Sequence, residues 1–260
     1  MKESLATILS NTEIRPGMRL LWAEAPDIAS RARPGQFVMV RTSGDNERLL
    51  RRPLAVHRLA PTSSPTRIAL LFSVVGRGTE WLARRQEGEE IDLLGPLGNG
   101  FTVTSRRLLL VAGGIGIAPL VALAESGLAA GATITLVMGA ATGDMLLPVD
   151  LLPDGIEVLT ATEDGSIGQK AMASELLSQC DADVDQVFAC GPVAMYHSMA
   201  GQMWLKNKPV QVSMEARMGC GFGICQGCAI QTRQGMRLVC QDGPVFDLWD
   251  IAWGGKKGGH

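Results

Sequence analysis

Four cysteines crowd the last fifth of this chain. Cys220, Cys225, Cys228 and Cys240 are spaced C-x4-C-x2-C-x11-C, and the first three reproduce the plant-type ferredoxin spacing that wraps a [2Fe-2S] cluster. Two ferric ions, two sulfides and four thiolates leave a net charge of about −2, which calls for backbone N–H donors close to the sulfur atoms. Gly219, Gly221, Gly223 and Gly227 permit that approach, because glycine carries no Cβ and tolerates positive φ. Zinc is the alternative use of four thiols, though zinc sites favour paired C-x2-C knuckles. Disulfides are the other, and they belong to oxidising compartments.

Two glycine turns offer different chemistry. Val75-Gly-Arg-Gly-Thr79 runs into Glu80-Trp-Leu-Ala-Arg-Arg85, so a short helix capped by Thr79 is expected there. A glycine turn at a helix start presents free N–H groups to a phosphate, and equally serves as an ordinary connection. Gly113-Gly-Ile-Gly116 follows an apolar run but falls short of the full G-x-G-x-x-G fingerprint, so a dinucleotide turn and a plain tight turn both remain open. The three histidines, His57, His197 and His260, stand in unrelated contexts. They are read as a barrel residue, a helix residue and part of the tail, with no catalytic acid or base among them.

These residues need elements to hold them. Residues 1–102 read as short strands between Gly/Pro turns: 37–41, 54–57, 68–75 and 91–94. Many short strands with little helix predict a small antiparallel β-barrel. From residue 103 to 213 the pattern alternates. Strands are expected at 108–112, 133–137, 156–160, 186–189 and 210–212, with helices over 120–130, 170–178 and 193–204. Such βα alternation implies a doubly wound parallel sheet with ligands at the carboxyl ends of its strands. Residues 214–260 form a small C-terminal cysteine domain, and the tail from Gly254 to His260 is read as disordered. The fold class is therefore multidomain, β followed by α/β.

Composition narrows the function. With 24 basic and 26 acidic residues the formal charge is −2, and no long run of like charge occurs, so neither nucleic acid nor an anionic membrane surface is an expected partner. The first residues lack the apolar length of a secretory signal, and cytoplasmic residence is expected, where thiols stay reduced. The most apolar stretch, Leu108 to Ala124, is broken by Gly113, Gly114, Gly116 and Pro119 and reads as strand, turn and helix rather than a membrane span.

Taken together, several segments resemble the family of electron transfer subunits of NAD-dependent dihydroorotate dehydrogenases, within the ferredoxin-NADP reductase superfamily. The most specific are Glu215-Ala-Arg-Met-Gly-Cys-Gly-Phe-Gly-Ile-Cys-Gln-Gly-Cys228 and Cys240-Gln-Asp-Gly-Pro-Val-Phe246. Arg51-Arg-Pro-Leu54, Gly76-Arg-Gly-Thr79, Leu94-Gly-Pro-Leu-Gly-Asn-Gly-Phe101, Ala112-Gly-Gly-Ile-Gly-Ile-Ala-Pro119, Thr162-Glu-Asp-Gly-Ser166 and Cys190-Gly-Pro192 match in the same order. The resemblance covers nearly the whole chain. It implies an FAD-binding barrel, an NAD-binding α/β domain and a C-terminal [2Fe-2S] domain. By that likeness Arg52, Pro53, Leu54 and Ala55 line the flavin, Leu71, Phe72 and Ser73 form the next strand of its site, and Gly78 and Thr79 hold the diphosphate. Gly113, Gly114, Gly116, Cys190, Gly191 and Pro192 face the nicotinamide nucleotide, and Cys220, Cys225, Cys228 and Cys240 bind the cluster.

The implied partner is an FMN-containing catalytic subunit that oxidises dihydroorotate, in a heterotetramer of two of each chain. A related flavin/iron-sulfur subunit of a ferredoxin-NADP oxidoreductase or hydrogenase would share the same parts, and a zinc-stabilised interaction module is the non-enzymatic alternative. The family usually has Ser or Thr where this chain has Ala55. Cys180 is taken as structural. Glu163 and Asp164 are expected to bind ribose hydroxyls and repel a 2′-phosphate, favouring NAD over NADP. The apolar segment with Phe246, Trp249 and Trp253 suits either a partner interface or this chain's own core.

Overall fold

The computed structural model describes residues 2–43, 50–60, 66–180 and 184–253. Met1 and the tail 254–260, including His260, lie outside the described residues. The chain opens with β1 (Lys2–Arg15) and β2 (Met18–Glu24), then α1 (Pro26–Ala29), β3 (Phe37–Val40), β4 (Arg52–Leu59), β5 (Arg67–Ser73), α2 (Arg77–Ala83) and β6 (Glu90–Leu97). The six strands close into an antiparallel barrel in the order β1-β2-β5-β4-β3-β6, as the strand-rich pattern predicts. Its interior is filled by Ile8, Leu21, Val38, Val56, Leu70, Phe72 and Leu93, all essentially without solvent contact.

β1 and β2 are the barrel strands that sequence pattern misses, as it misses the short strands Gln169–Lys170, Ala229–Thr232, Gly235–Leu238 and Val245–Asp247 later in the chain. The second half of β1 is largely polar, with Ser10-Asn-Thr-Glu13 at its centre, and its burial does not alternate cleanly, so the period-2 signal is absent. Pairing on both sides holds it instead, with β2 from Thr7 to Arg15 and with β6 from Lys2 to Thr7.

The second half contains β7 (Arg107–Gly113), α3 (Ala118–Ala129), β8 (Thr133–Ala140), β9 (Glu157–Thr162), β10 (Gln169–Lys170), β11 (Gln186–Cys190), α4 (Val193–Ala200), β12 (Val210–Ser213), the hairpin β13 (Ala229–Thr232) and β14 (Gly235–Leu238), and β15 (Val245–Asp247). The large sheet runs β10-β9-β8-β7-β11-β12-β15. All its pairs are parallel except the last, in which β15 from the cysteine-bearing segment lies antiparallel on β12. β7 pairs with β8 on one side and β11 on the other, so the strand order reverses at its carboxyl end. That is where a doubly wound sheet opens a crevice. Apolar residues of α3 cover one face, while Leu176, Leu177, Tyr196 and Met199 cover the other.

Two expected helices are shorter than the pattern suggests. Over 170–178 the chain forms the two-residue strand β10 and a 3-10 coil at Ala173–Gln179. So short a run cannot repay helix nucleation, and the tighter coil suits it. The helix expected over 193–204 stops at Ala200, where Gly201 donates its N–H to the His197 and Ser198 carbonyls. A separate 3-10 turn follows at Met203–Asn207. Among the described residues no helix is long and apolar enough to cross a membrane.

Candidate functional site: a cleft between barrel and sheet beside a cysteine loop

The barrel and the sheet face each other across a cavity of about 480 Å³. On the barrel side β4 supplies Arg52, Pro53, Leu54 and Ala55, β5 supplies Leu71, Phe72 and Ser73, and Val75 and Thr79 close one end. Gly78 lies behind this wall rather than in it. A Cβ there would stand 3.0 Å from Arg52 Nε and 3.0 Å from Thr42 Oγ1, so glycine lets the Arg52 side chain lie across the start of α2. Thr79 does not cap α2, because Gly76 occupies that position and Thr79 is the third helical residue. Its Oγ1 reaches back to accept the N–H groups of Val75 and Gly76 at 2.9 and 3.2 Å, which is half of a capping box.

The sheet side is built from turns pressed together. A Cβ on Gly116 would be 2.0 Å from the Cys190 carbonyl oxygen, and one on Gly113 would be 2.6 Å from Pro192 Cδ. Gly114 has φ +54°. The turn after β7 and the turn after β11 therefore meet only because these positions are glycine. Gly113, Gly114 and Pro192 line a second cavity of about 290 Å³ with Ala140, Met145, Glu163 and Met172, at the carboxyl ends of β7, β8, β9 and β11. Cys190 faces the larger cavity. Burial first, and the charge of Glu215 second, push its thiol up to about 12, so it stays protonated.

Of the two acids expected at this second cavity, only Glu163 lines it. The Asp164 carboxylate is taken by Ser166, whose Oγ–H donates at 2.6 Å and whose N–H donates at 2.9 Å. These bonds hold Asp164 below the usual carboxylate range.

His57 is buried in the barrel wall, and its Nδ1–H donates to the Ala118 carbonyl of α3 at 2.9 Å. Burial first, against that hydrogen bond and with help from Arg58, lowers it to about 4. Arg58 pairs with Glu125 of α3 at 3.4 Å. These contacts seat the strand carrying Ala55 on the helix that follows the Gly113 turn.

Cys220, Cys225 and Cys228 lie in an irregular loop ahead of the β13–β14 hairpin, and Cys240 lies in the turn just after it. Cys228 and Cys240 are buried, Cys220 is half-buried and Cys225 is exposed. Cys228 Sγ lies 3.3 Å from Cys240 Sγ, far beyond the roughly 2 Å of a disulfide bond. Main-chain donors converge on the sulfurs. Phe222 and Cys225 N–H point to Cys220 at 3.5 and 3.4 Å, Gly223 N–H to Cys240 at 3.1 Å, and Cys240 N–H to Cys228 at 3.4 Å. Burial works upward on Cys220, yet the donors of Cys225, Phe222 and Ile224 and the Cys225 thiol outweigh it and bring Cys220 down to about 6. Cys240 goes the other way, to about 12, through burial and the adjacent Cys228.

The four thiols form two pairs, Cys220 with Cys225 and Cys228 with Cys240. N–H donors surround them and glycine keeps the space clear: Cβ atoms on Gly219 and Gly227 would lie 3.3 and 3.6 Å from Cys225 Sγ. A two-iron cluster fits that arrangement. The cleft fits a flavin equally well, being walled by apolar side chains with Arg52 at one end.

The loop is locked to the cleft. Asn99 donates its side-chain N–H to the Asp242 and Val245 carbonyls at 2.9 and 3.1 Å and accepts the Val245 N–H at 3.0 Å. A Cβ on Gly221 would strike Met39 Cγ at 2.5 Å. Met214, Glu215, Ala216 and Met218 run along the cleft and straight into Cys220. Those four, with Phe37, Ile115 and Ser213, are lining residues that sequence reasoning missed, because their role depends on which strands end at the crevice. Glu215 had a signal, standing at the head of the cysteine motif.

Residues 215–252 match the family described as the iron-sulfur cluster binding domain of dihydroorotate dehydrogenase B. Over 257 residues the chain is 36% identical to the dihydroorotate dehydrogenase B (NAD(+)) electron transfer subunit of Desulforamulus reducens, covering 95% of this chain and 97% of that one. The chain belongs to the family of dihydroorotate dehydrogenase B electron transfer subunits. The Bacillus cereus member is 31% identical over 260 residues, covering 96% of this chain and 99% of that one.

Among solved structures, the NADH-dependent reduced ferredoxin-NADP oxidoreductase studied for flavin-based electron bifurcation superposes with a TM-score of 0.84. It is 31% identical and covers 96% of this chain and 90% of that one. The ferredoxin reductase of carbazole 1,9a-dioxygenase, at 18% identity and TM-score 0.68 over 81% of this chain and 68% of that one, shares the fold. For an electron transfer subunit of this family, the C-terminal aromatic segment has a plain use. Leu248 and Ile251 are buried, and Trp253 packs on Tyr196 and His197 at 6.0 and 4.9 Å between ring centroids. It closes this chain's own core, while exposed apolar side chains near the cysteines are Phe222, Ile224 and Met236.

Proposed function

We propose that this chain relays electrons between a dihydroorotate-oxidising, FMN-bearing catalytic subunit and NAD, using FAD and a [2Fe-2S] cluster, as part of pyrimidine biosynthesis in the cytoplasm. The observation that carries this reading is the shared wall. Met214 to Met218 borders the flavin-sized cleft and leads directly to four thiols whose outer member, Cys225, reaches solvent. When bound, the cluster exchanges single electrons and FAD exchanges them as a hydride with NAD. The residues of the chain do the positioning. Cys220, Cys225, Cys228 and Cys240 hold the cluster, with N–H groups of Phe222, Gly223, Cys225 and Cys240 directed at its sulfur ligands.

Pro53, Leu54, Ala55, Leu71, Phe72 and Ser73 enclose the flavin and exclude water, while Arg52, with Gly78 and Thr79 beside it, meets the diphosphate. Gly113, Gly114, Gly116, Cys190, Gly191 and Pro192 let the nicotinamide nucleotide approach the main chain. Ala55 lacks the hydroxyl usual at its position, so only its N–H is available to the flavin there. Phe222, Ile224 and Met236 form the apolar skin on which the partner docks, in a complex of two of each chain.

The test is reconstitution. Alone, the chain reduces artificial acceptors with NADH and leaves dihydroorotate untouched; mixed with the catalytic subunit, it couples dihydroorotate oxidation to NAD⁺ reduction. Dihydroorotate oxidation by the chain alone would refute the reading. A second reading, a subunit of a ferredoxin-NADP oxidoreductase complex, is supported by the likeness to that structure. It predicts coupling to ferredoxin and a second flavoprotein instead.

A further inference from the structure

Tyr196 lies buried behind the turn after β11, lining neither cavity itself. Its hydroxyl accepts the Gly191 N–H at 2.9 Å and donates to the Ser213 carbonyl at 2.7 Å, and its side chain has no solvent contact. The β11–β12 register ends at the pair Cys190 and Ser213. Past that point the strand ladder has nothing left to hold the Gly191 peptide, and the phenol takes over, bridging the turn to the end of β12.

The position of Gly191 matters beyond its own turn. A Cβ there would lie 3.0 Å from both Cα and N of Gly113, so the turn after β11 rests on the turn after β7. Cys190 and Ser213 face the larger cavity, and Gly113 and Pro192 face the smaller one. One hydroxyl therefore sets the seam between them. From behind, Trp253 packs against the Tyr196 ring and is itself fixed by an Nε1–H bond to the Leu248 carbonyl at 2.8 Å. Burial raises the Tyr196 phenol well above its ordinary range, so its proton stays available to Ser213.

We propose that Tyr196 is a positioning residue for the nicotinamide nucleotide: its hydroxyl fixes the Gly191 turn, and through it Gly113, against the bound cofactor. It sets the efficiency of the NADH reaction without touching the reacting rings. This rests on the reading that the turns at Gly113–Gly116 and Cys190–Pro192 face the nucleotide.

The test uses the full chain with FAD and cluster in place. Tyr196→Phe removes the hydroxyl and leaves a buried N–H and a buried carbonyl unpaired. Flavin and iron content should match the parent protein, while kcat/KM for NADH with ferricyanide falls about tenfold. Val187→Ala, in the buried interior of β11 and away from both cavities, should lose stability and keep kcat/KM. Tyr196→Phe with parental kcat/KM overturns the proposal.

A second measurement does not depend on that variant folding. Tyr196 is the sole tyrosine of the chain, so growth on 3-fluorotyrosine places one fluorine label there and nowhere else. Saturation with NAD⁺ should shift its single ¹⁹F resonance. An unmoved resonance in protein whose flavin bleaches with NADH brings down this inference alone. A parent protein whose flavin does not bleach with NADH brings down the nucleotide-site reading and this inference with it.

Discussion

The cysteine loop and the cleft solve the same problem, holding a redox cofactor, in opposite ways. The loop uses side chains that are close in sequence, three of them between Cys220 and Cys228, on a stretch with almost no regular structure. The cleft and the smaller cavity beside it use strand ends far apart in sequence, from β4 and β5 to β7, β11 and β12, and the smaller one is lined in part by main chain at Gly113, Gly114 and Gly139. Side-chain ligation tolerates an irregular backbone because metal–sulfur bonds supply the rigidity. Main-chain recognition tolerates no irregularity, so it is built where two closed frameworks, the barrel and the sheet, abut. The two sites should therefore fail separately.

The largest effect expected is Cys225→Ser, which should remove most iron and sulfide and leave FAD content near that of the parent, measured on one preparation by metal, sulfide and flavin analysis. Retention of full iron and sulfide would contradict the ligand assignment. The reciprocal break is Gly116→Ala. A methyl 2.0 Å from the Cys190 carbonyl oxygen must push the two turns apart, costing about 3 kcal/mol of stability and about 100-fold in NADH kcat/KM, with cluster content unchanged.

Acid probes the join between barrel and sheet. The folded-state value of His57 lies near 4 against an ordinary 6.5, so the unfolded chain binds more protons than the native one between these values. Its contribution is complete above about pH 6.5 and is lost as pH falls toward 4, amounting to about 3 kcal/mol. Denaturation midpoints followed from pH 8 to 4 should drop accordingly, and His57→Gln should flatten that slope. The smallest effect concerns cofactor choice. NADH should be preferred over NADPH, and Glu163→Gln should narrow the ratio about tenfold, equivalent to ~1.4 kcal/mol; an unchanged ratio would remove Glu163 from the site.

The same contrast explains what could be read in advance. Cysteine spacing is a local code, so the cluster motif was legible from residue identities alone. The barrel and the doubly wound sheet were legible too, since β3 to β9 carry apolar runs bounded by glycine and proline. β1 was not, because its polar half is held by pairing with β2 rather than by its own pattern. The 3-10 coil at Ala173–Gln179 and the stop at Gly201 were hidden for a related reason: helix length depends on what each segment packs against. In the cleft, glycine turns announced themselves, whereas Phe37, Ser213 and Met214 became neighbours only through sheet order. Glu163 and Asp164 look alike in sequence, and only the fold shows that Glu163 lines the smaller cavity while Ser166 donates twice to Asp164.

The central claim is that one chain carries two different redox cofactors in two separately built sites. A visible absorption spectrum of the purified chain, with flavin, iron, sulfide and zinc determined on the same sample, tests it most directly. The account predicts flavin bands over a broad iron-sulfur background, with one FAD, two irons and two sulfides per chain. A colourless protein holding zinc would contradict it.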